Sequence, residues 1–227
     1  MGLGPSVVKM DLELFNKGYL KDTRSVIEMG SQGMHITQAD LEELFLMAGL
    51  TGYKKEDFDV LGDWPNKSCS SRSFYNALGI SEYACIDLNE GYGAIPLDLN
   101  YPLEDKSLYG KYDLVTDYGN NEHVFNTSQA YCTMHRLCKP GGIVAISQSV
   151  FLGKGYYAYD PSFLEGVAAA NNYKILFSSF IVSARTPDGL SSPRQFHLPL
   201  SWELMDTFDL TKIGEFSVFM PCKNKQP

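Results

Sequence analysis

No stretch of about 18 consecutive apolar residues occurs in the chain, and its start carries no basic segment followed by an apolar core. Neither a membrane-spanning helix nor a secretory leader is therefore expected. Basic side chains are in deficit: 19 Lys and Arg stand against 27 Asp and Glu, a net charge of −8, with no basic run. That balance argues against nucleic acid or an anionic membrane surface as the main partner. Cysteine is scarce and unpatterned. The five, at 69, 85, 132, 138 and 222, form no Cys-x-x-Cys pair, so reduced packing residues of a cytoplasmic protein are expected rather than a disulfide framework. The absence of His-Glu-x-x-His and of Cys/His clusters gives no support to a metal site, and the absence of Gly-x-Ser-x-Gly removes the serine-hydrolase elbow. There is no internal repeat and no low-complexity segment.

What remains is an ordinary globular composition, 44% hydrophobic and 20% charged over 227 residues, enough for one α/β domain with a full core. The chain is organised around Arg24 to Gly33. There an apolar run, Ser25 to Glu28, reads as a buried strand that stops at an acid and enters a glycine turn. Gly30 and Gly33 permit a tight turn and close approach of a ligand to backbone N–H groups, while the Glu28 carboxylate can take amide hydrogen bonds or attract a cation. The plainer reading is a strand-to-helix turn that happens to contain glycine.

Residues 8 to 21 suggest a short amphipathic helix, and Thr37 with Asp40 three residues on approximates a capping box for the next, with Gly49 ending it. Residues 50 to 80 are broken by Gly52, Gly62 and Pro65 around a helix from Ser71 to Leu78. Further apolar runs follow at Tyr83 to Leu88, Ala94 to Leu99 and Tyr112 to Asp117. A helix pattern over 124 to 138 ends in Lys139-Pro-Gly-Gly142, read as a helix stop feeding a strand at Ile143 to Ile146. The last third reads as a loop over 149 to 160, a helix over 161 to 171, a strand from Ile175 to Ser183, a connection through Pro199, a helix at Trp202 to Phe208, and a strand from Gly214 to Met220.

The alternation predicts an α/β, Rossmann-like, doubly wound sheet of about seven strands, mostly parallel with an antiparallel last strand, in one domain over 1–227. A hairpin of the last two strands at the sheet edge is expected to make it mixed. Ligands of such sheets bind beyond the carboxyl ends of the strands, where Glu28, Asp87, Asp98 and Asp117 are all expected. One strand-end acid is usually a solvated turn residue, but four on one edge point to a site.

The series Val26 to Gln32, Ile86 to Asn89, Leu97 to Asn100, Tyr112 to Asp117, Glu122 to Asn126 and Leu137 to Gly142 resembles the class I S-adenosylmethionine-dependent methyltransferases over roughly residues 22 to 183. Asn121 to Asn126 together with Gly155 to Pro161 looks closest to bacterial and phage-like members of unassigned substrate. The resemblance implies S-adenosylmethionine as cofactor. It implies Glu28, Gly30, Ser31 and Gln32 around the methionine end and Asp87, followed by Leu88, on the ribose hydroxyls. It places Asp98 and Leu99 at the adenine, and Asp117 and Tyr118 facing the methyl donor. The turn departs from the family pattern at Gln32 and Met34, where glycines are usual. Asp87 lies 54 residues beyond Gly33, which implies an insertion at about 50–80, either a substrate cap or an excursion packed on the sheet flank.

Methyl transfer from a sulfonium is an in-line displacement, so alignment, water exclusion and removal of an acceptor proton are what the protein supplies. His123 is the candidate base, with Asp117 the alternative; for His123 the competing reading is a capping residue of the following helix. Tyr156 and Tyr157, with Phe151, Tyr159 and Lys154, form an aromatic segment expected to line an acceptor pocket, to stack on the adenine or to pack in the core. The expected acceptor is a small molecule, methylated on O or N. A non-catalytic binder of the cofactor or of a nucleoside-like ligand is the rival, and a nicotinamide-dependent oxidoreductase, lacking Gly-x-Gly-x-x-Gly, is a weaker third. Neither nucleic acid nor membrane is an expected partner, and the sequence leaves oligomeric state open.

Overall fold

Every residue from Ser25 to Met29 is buried, as a strand covered by helices on both faces requires. A computed structural model of the chain describes residues 2–54, 58, 70–89, 91–150, 154–184, 194–199 and 215–221. In chain order the elements are β1 (Gly2–Leu3), α1 (Pro5–Asn16), β2 (Ser25–Met29), β3 (Gly33–Met34), α2 (Gln38–Met47), α3 (Arg72–Ala77), β4 (Glu82–Asp87), β5 (Ile95–Pro96), β6 (Tyr112–Tyr118), α4 (Thr127–Leu137), β7 (Cys138–Gln148), α5 (Pro161–Ala170), β8 (Phe177–Ala184), β9 (Arg194–Pro199) and β10 (Glu215–Pro221).

Eight strands form the main sheet in the order β5-β4-β2-β6-β7-β10-β8-β9. The first five are mutually parallel, and β10 runs antiparallel to both β7 and β8. The order turns back between β2 and β6, the switch point beyond which ligands bind in doubly wound sheets. The expected antiparallel last strand is present, but it lies inside the sheet. The edge hairpin is instead β8–β9, in a stretch read as a connection because it ends in Pro199. An edge strand tolerates proline, since one row of its backbone groups needs no partner within the sheet. The helix expected at Trp202 to Phe208 lies outside the described residues.

Strand alternation divides the core in two. Val26, Leu114 and Tyr118 face α1, α2 and α3, whereas Ile27, Met29, Val115 and Ile146 face α4 and α5. The first helix is set earlier than the expected 8 to 21, because Pro5 at its first turn fixes the start and Gly18, at φ +77°, ends the segment. Its first turn is held from outside: Gln195 Oε1 accepts the Ser6 N–H at 2.9 Å, and His197 Nε2 lies 3.0 Å from the Ser6 carbonyl. The Thr37 cap forms as expected, its hydroxyl oxygen accepting the Asp40 N–H. Lys139 to Gly142 differs from expectation: α4 stops at Leu137, the strand begins at once, and the Lys-Pro-Gly-Gly stretch is an irregularity within β7, where Gly141 takes φ +79°. Among the cysteines, Cys85 and Cys138 are buried and Cys132 is exposed; Cys69 and Cys222 lie outside the described residues. Among the described residues no helix is long and apolar enough to cross a membrane.

At the amino edge one carboxylate joins three strands. Asp113 Oδ2 accepts the N–H groups of Arg24 and Ser25 at 2.9 and 3.0 Å, and Oδ1 meets Lys139 Nζ at 2.7 Å. These contacts hold the Asp113 carboxyl below its ordinary range, although partial burial works against them. Asp113→Ala strands two N–H groups at the start of β2 and is expected to cost about 1–3 kcal/mol in chemical denaturation, with an unchanged m-value showing that the fold itself survives.

Candidate functional site

The strand ends deliver the four acids to one edge, but to different depths. Glu28 and Asp117 are fully buried, whereas Asp87 and Asp98 are half-exposed at the rim.

Gly30 leaves β2 at φ +86°, a conformation glycine adopts without strain. Its N–H donates to the Ile86 carbonyl at 2.7 Å, and a side chain there would stand 2.6 Å from Asn120 Oδ1. Ser31 donates its N–H to Asp87 Oδ2 at 2.7 Å and its hydroxyl to the Gly91 carbonyl at 2.8 Å. Asp87 Oδ1 accepts the Asn89 N–H at 3.0 Å. Burial raises the Asp87 carboxyl, but the amide and hydroxyl donors around it outweigh that and leave it lowered, hence a carboxylate at neutral pH. Leu88, beside it, is 68% exposed, an apolar surface left open next to a rim carboxylate. Asp98 closes a local turn through the Asn100 N–H, and Leu99 is buried in the α4-side core. Gln32 faces inward: its amide donates to the Met29 carbonyl at 2.9 Å and supports the turn from behind.

On the α1 side of the sheet lies a buried polar cluster. Tyr83 donates its hydroxyl to Glu28 Oε2 at 2.7 Å, and Tyr118 donates to Asp11 Oδ1 at 2.9 Å. The Tyr75 hydroxyl also faces these groups. Among the described residues, no group meets Glu28 Oε1, Asp11 Oδ2 or Tyr75 Oη in hydrogen-bond geometry. Burial without a cationic partner pushes Glu28 up to about 8 and Asp11 to about 7, so both carry protons over much of the neutral range. Tyr118 belongs to this cluster, since alternation along β6 turns it away from the face that Asp117 occupies.

Asp117 is committed to structure. Its Oδ1 accepts the N–H groups of Asn120 and Asn121 at 2.9 and 3.2 Å, and Oδ2 accepts from Gln148 Nε2 at 2.5 Å. Burial raises this carboxyl to about 7. The turn it shapes, Asn121–His123, carries the other candidate. His123 Nε2 lies 3.4 Å from Glu122 Oε1, with the His123 side chain 41% exposed and Glu122 buried. Glu122 Oε2 accepts the Ser149 N–H at 2.9 Å, and the Glu122 carbonyl accepts the Tyr156 N–H at 2.7 Å. The loop after β7 is thereby docked on the turn that presents His123. Gly155 permits the contact, since a Cβ there would fall 2.2 Å from the Glu122 carbonyl oxygen. Tyr156 is exposed, and Tyr157 donates its hydroxyl to the Phe125 carbonyl at 2.5 Å. Tyr159 instead packs beneath, bonded to Thr127 and Asn121.

Phe151 and Gly153 lie outside the described residues. In the stretch expected to be an insertion, Tyr53 and Phe58 pack on Phe45, with ring centroids 4.6 and 5.9 Å away, on the α2 flank; residues 55–57 and 59–69 lie outside the description. Asp11, Asn120, Glu122 and Gln148 escaped the sequence reading as site residues. Only Glu122, beside His123 in a motif already marked, offered a signal; the others are brought in by tertiary contact.

No protein-family model matches the sequence, and no curated protein matches it. Among solved structures, the chain is similar to a SAM-dependent methyltransferase from Archaeoglobus fulgidus, with 14% identity, 96% of this chain and 94% of that one covered, and a TM-score of 0.48. It is also similar to the 1,6-didemethyltoxoflavin-N1-methyltransferase of Burkholderia thailandensis, with bound 1,6-didemethyltoxoflavin and S-adenosylhomocysteine, at 11% identity, 96% and 79% coverage, and a TM-score of 0.47.

The raised acids set a pH dependence. A carboxyl whose folded pKa lies above its unfolded value contributes stability that is complete below the unfolded value and is lost as pH rises through the folded one. The melting temperature of the ligand-free protein is therefore expected to fall between pH 5 and pH 8.5. Glu28→Gln, melted across the same range, is expected to show a visibly shallower decline; an unchanged slope would mean that Glu28 is not protonated in the fold.

Proposed function

We propose that the chain is an S-adenosylmethionine-dependent methyltransferase acting on an O or N atom of a small molecule. The observation that carries this reading is the carboxyl-edge pairing of a left-handed glycine turn with a rim carboxylate, Ser31 to Asp87, beside an open apolar side chain, Leu88. A carboxylate with two oxygens at the rim suits a vicinal diol, an exposed leucine suits the flat face of a purine, and a glycine turn suits the amino-acid end of the cofactor. When bound, the cofactor supplies an electrophilic methyl group on a sulfonium.

The residues of the chain then divide the work. Gly30 and Ser31 form the turn, with Glu28 and Gln32 behind it. Asp87 and Leu88 hold the nucleoside, with Asp98 and Leu99 shaping the adenine side. Asp117 holds the Asn120 to His123 turn in place, and Tyr118 steadies the strand end from the α1 face. His123, half open and backed by Glu122, is the group placed to take an acceptor proton at Nε2 or Nδ1, and Tyr156 and Tyr157 border the acceptor.

Two alternatives meet specific observations. Asp87 Oδ2 already takes the Ser31 N–H that a dinucleotide pyrophosphate would require, which disfavours a nicotinamide enzyme. The full commitment of Asp117 to structural hydrogen bonds is what a non-catalytic cofactor binder would also show, so turnover has to be measured apart from binding.

Calorimetry with S-adenosylmethionine, S-adenosylhomocysteine and NAD is the test. The first two are expected to bind and NAD is not; the opposite pattern sinks the proposal. Asp87→Ala is expected to weaken cofactor binding by roughly 5- to 100-fold, the loss of a charged hydrogen-bonding partner. His123→Ala is expected to lower turnover by about 100-fold or more with cofactor affinity nearly intact, as for removal of a general base. Equal losses in both quantities would assign His123 to the cofactor instead.

A further inference from the structure

Three successive loops at the carboxyl edge are tied into one wall. Asn126 donates its N–H to Asn100 Oδ1 at 2.8 Å and its side-chain amide to the Asn100 carbonyl at 3.0 Å, joining the loop after β5 to the loop after β6. Tyr157 and Tyr156 join the loop after β7 to the same stretch, through the Phe125 and Glu122 carbonyls. This hydrogen bonding leaves large rings uncovered. Phe125 is 70% exposed, Tyr156 67% and Tyr101, next to Asn100, 66%. Phe125 and Tyr156 meet edge to face, with centroids 5.8 Å apart and planes at 85°. Beneath them Tyr157, Tyr159, Phe163 and Tyr131 form a continuous aromatic base that keeps the wall from collapsing inward. Exposed rings fixed from behind by backbone hydrogen bonds form a surface prepared for another apolar face.

The charge around them narrows the occupant. Over 98–106, 120–127 and 154–160 the described cationic or potentially cationic side chains are Lys106, His123 and Lys154, against Asp98, Glu104, Asp105, Glu122 and Asp160. A phosphorylated or carboxylated molecule finds little here to neutralise it, whereas a neutral or cationic ring finds aromatic faces and acids.

We propose that the acceptor is a planar aromatic or heteroaromatic molecule, neutral or cationic, whose ring lies on Phe125 and Tyr156 with its amine or hydroxyl directed to His123. This rests on the methyltransferase reading. Selectivity then comes from the wall, and the methyl donor side is indifferent to it.

The test uses the full chain saturated with S-adenosylhomocysteine and four probes, quinolin-6-ol, tyramine, cyclohexanol and 4-hydroxybenzoate, followed by saturation-transfer NMR and titration. Quinolin-6-ol and tyramine are expected to bind about tenfold or more tighter than the other two, as ring stacking and charge require. Phe125→Ala and Tyr156→Ala are each expected to weaken them by roughly 5- to 50-fold, in the manner of interface aromatic anchors. Tyr156→Phe is expected to retain binding, and affinity for S-adenosylhomocysteine to stay within about twofold, since none of these side chains belongs to the cofactor side. Both positions are largely exposed, so the variants are expected to melt as the parent does. Equal binding of cyclohexanol, preference for 4-hydroxybenzoate, or indifference to both alanine variants overturns the acceptor inference while leaving the methyltransferase reading standing. Failure of S-adenosylhomocysteine to bind the parent chain overturns both.

Discussion

The carboxyl of Asp117 is the joint on which the edge of the sheet depends. Fully buried between β6 and β7, it takes the N–H groups of Asn120 and Asn121 on one oxygen and the Gln148 amide on the other. The first two bonds turn the chain sharply after β6, and the third fixes that turn to the end of the neighbouring strand. Asn120 is thereby pressed against Gly30, so the turns after β2 and β6 interlock. From the same turn Glu122 reaches Ser149 and Tyr156, which extends the constraint to the loop after β7. A buried carboxyl is costly where it ionises, and this one titrates near neutrality because three donors only partly offset its desolvation. That cost falls where the proposed chemistry needs positional precision.

The parts of this arrangement written in local pattern were legible from sequence. Apolar runs reaching Glu28, Asp87 and Asp117 announced parallel strands because a strand covered on both faces has to be apolar along most of its length, although Glu28 and Asp117 lie one residue inside the buried strand rather than where cover ends. Thr37 with Asp40 was legible for the same reason: a cap is a contact between residues three apart. Most of what failed depends on tertiary contact. The strand β9 looked like a linker because of its proline and its polar Gln195 and His197, which are polar because they bind α1; Phe196 and Leu198 alternate with them, and that period of two was the available signal. Tyr118 was grouped with Asp117 as a neighbour in sequence, although adjacent strand residues face opposite ways, and its hydroxyl belongs to Asp11 instead. Asp11 itself looked like a solvated position on an amphipathic helix, and only the packing of α1 on the sheet buries it.

Depth separates the strand-end acids by task. Asp87 and Asp98 remain at the rim, and Asp87, held low by its donors, keeps its charge where a diol can reach it. Glu28 and Asp11 lie behind the turn and hold protons near neutrality, so this buried pair adds little negative charge there. Were both ionised, their repulsion within a shared buried space would act directly on the attachment of α1 to the sheet, through Tyr118 and Tyr83. The glycine turn itself thus meets one charged carboxylate, Asp87, while the two acids behind it hold protons.

That economy bears on how selectivity is distributed. The turn at Gly30 and Ser31 is enclosed by Asn120 on one side and Asp87 on the other, which leaves it little freedom to vary. The wall of Phe125, Tyr156 and Tyr101 is built on hydrogen bonds accepted by the backbone carbonyls of Asn100, Glu122 and Phe125 and by the Asn100 side chain, and its rings are largely exposed. Their exposure of 66–70% means that changing those rings removes surface contacts, Tyr156 with Phe125 and Tyr157 among them, rather than core packing. Under the proposed function, the interlocked ends of β2 and β6 would grip the cofactor, and recognition of the acceptor would fall to side chains that can be exchanged without disturbing Asp117.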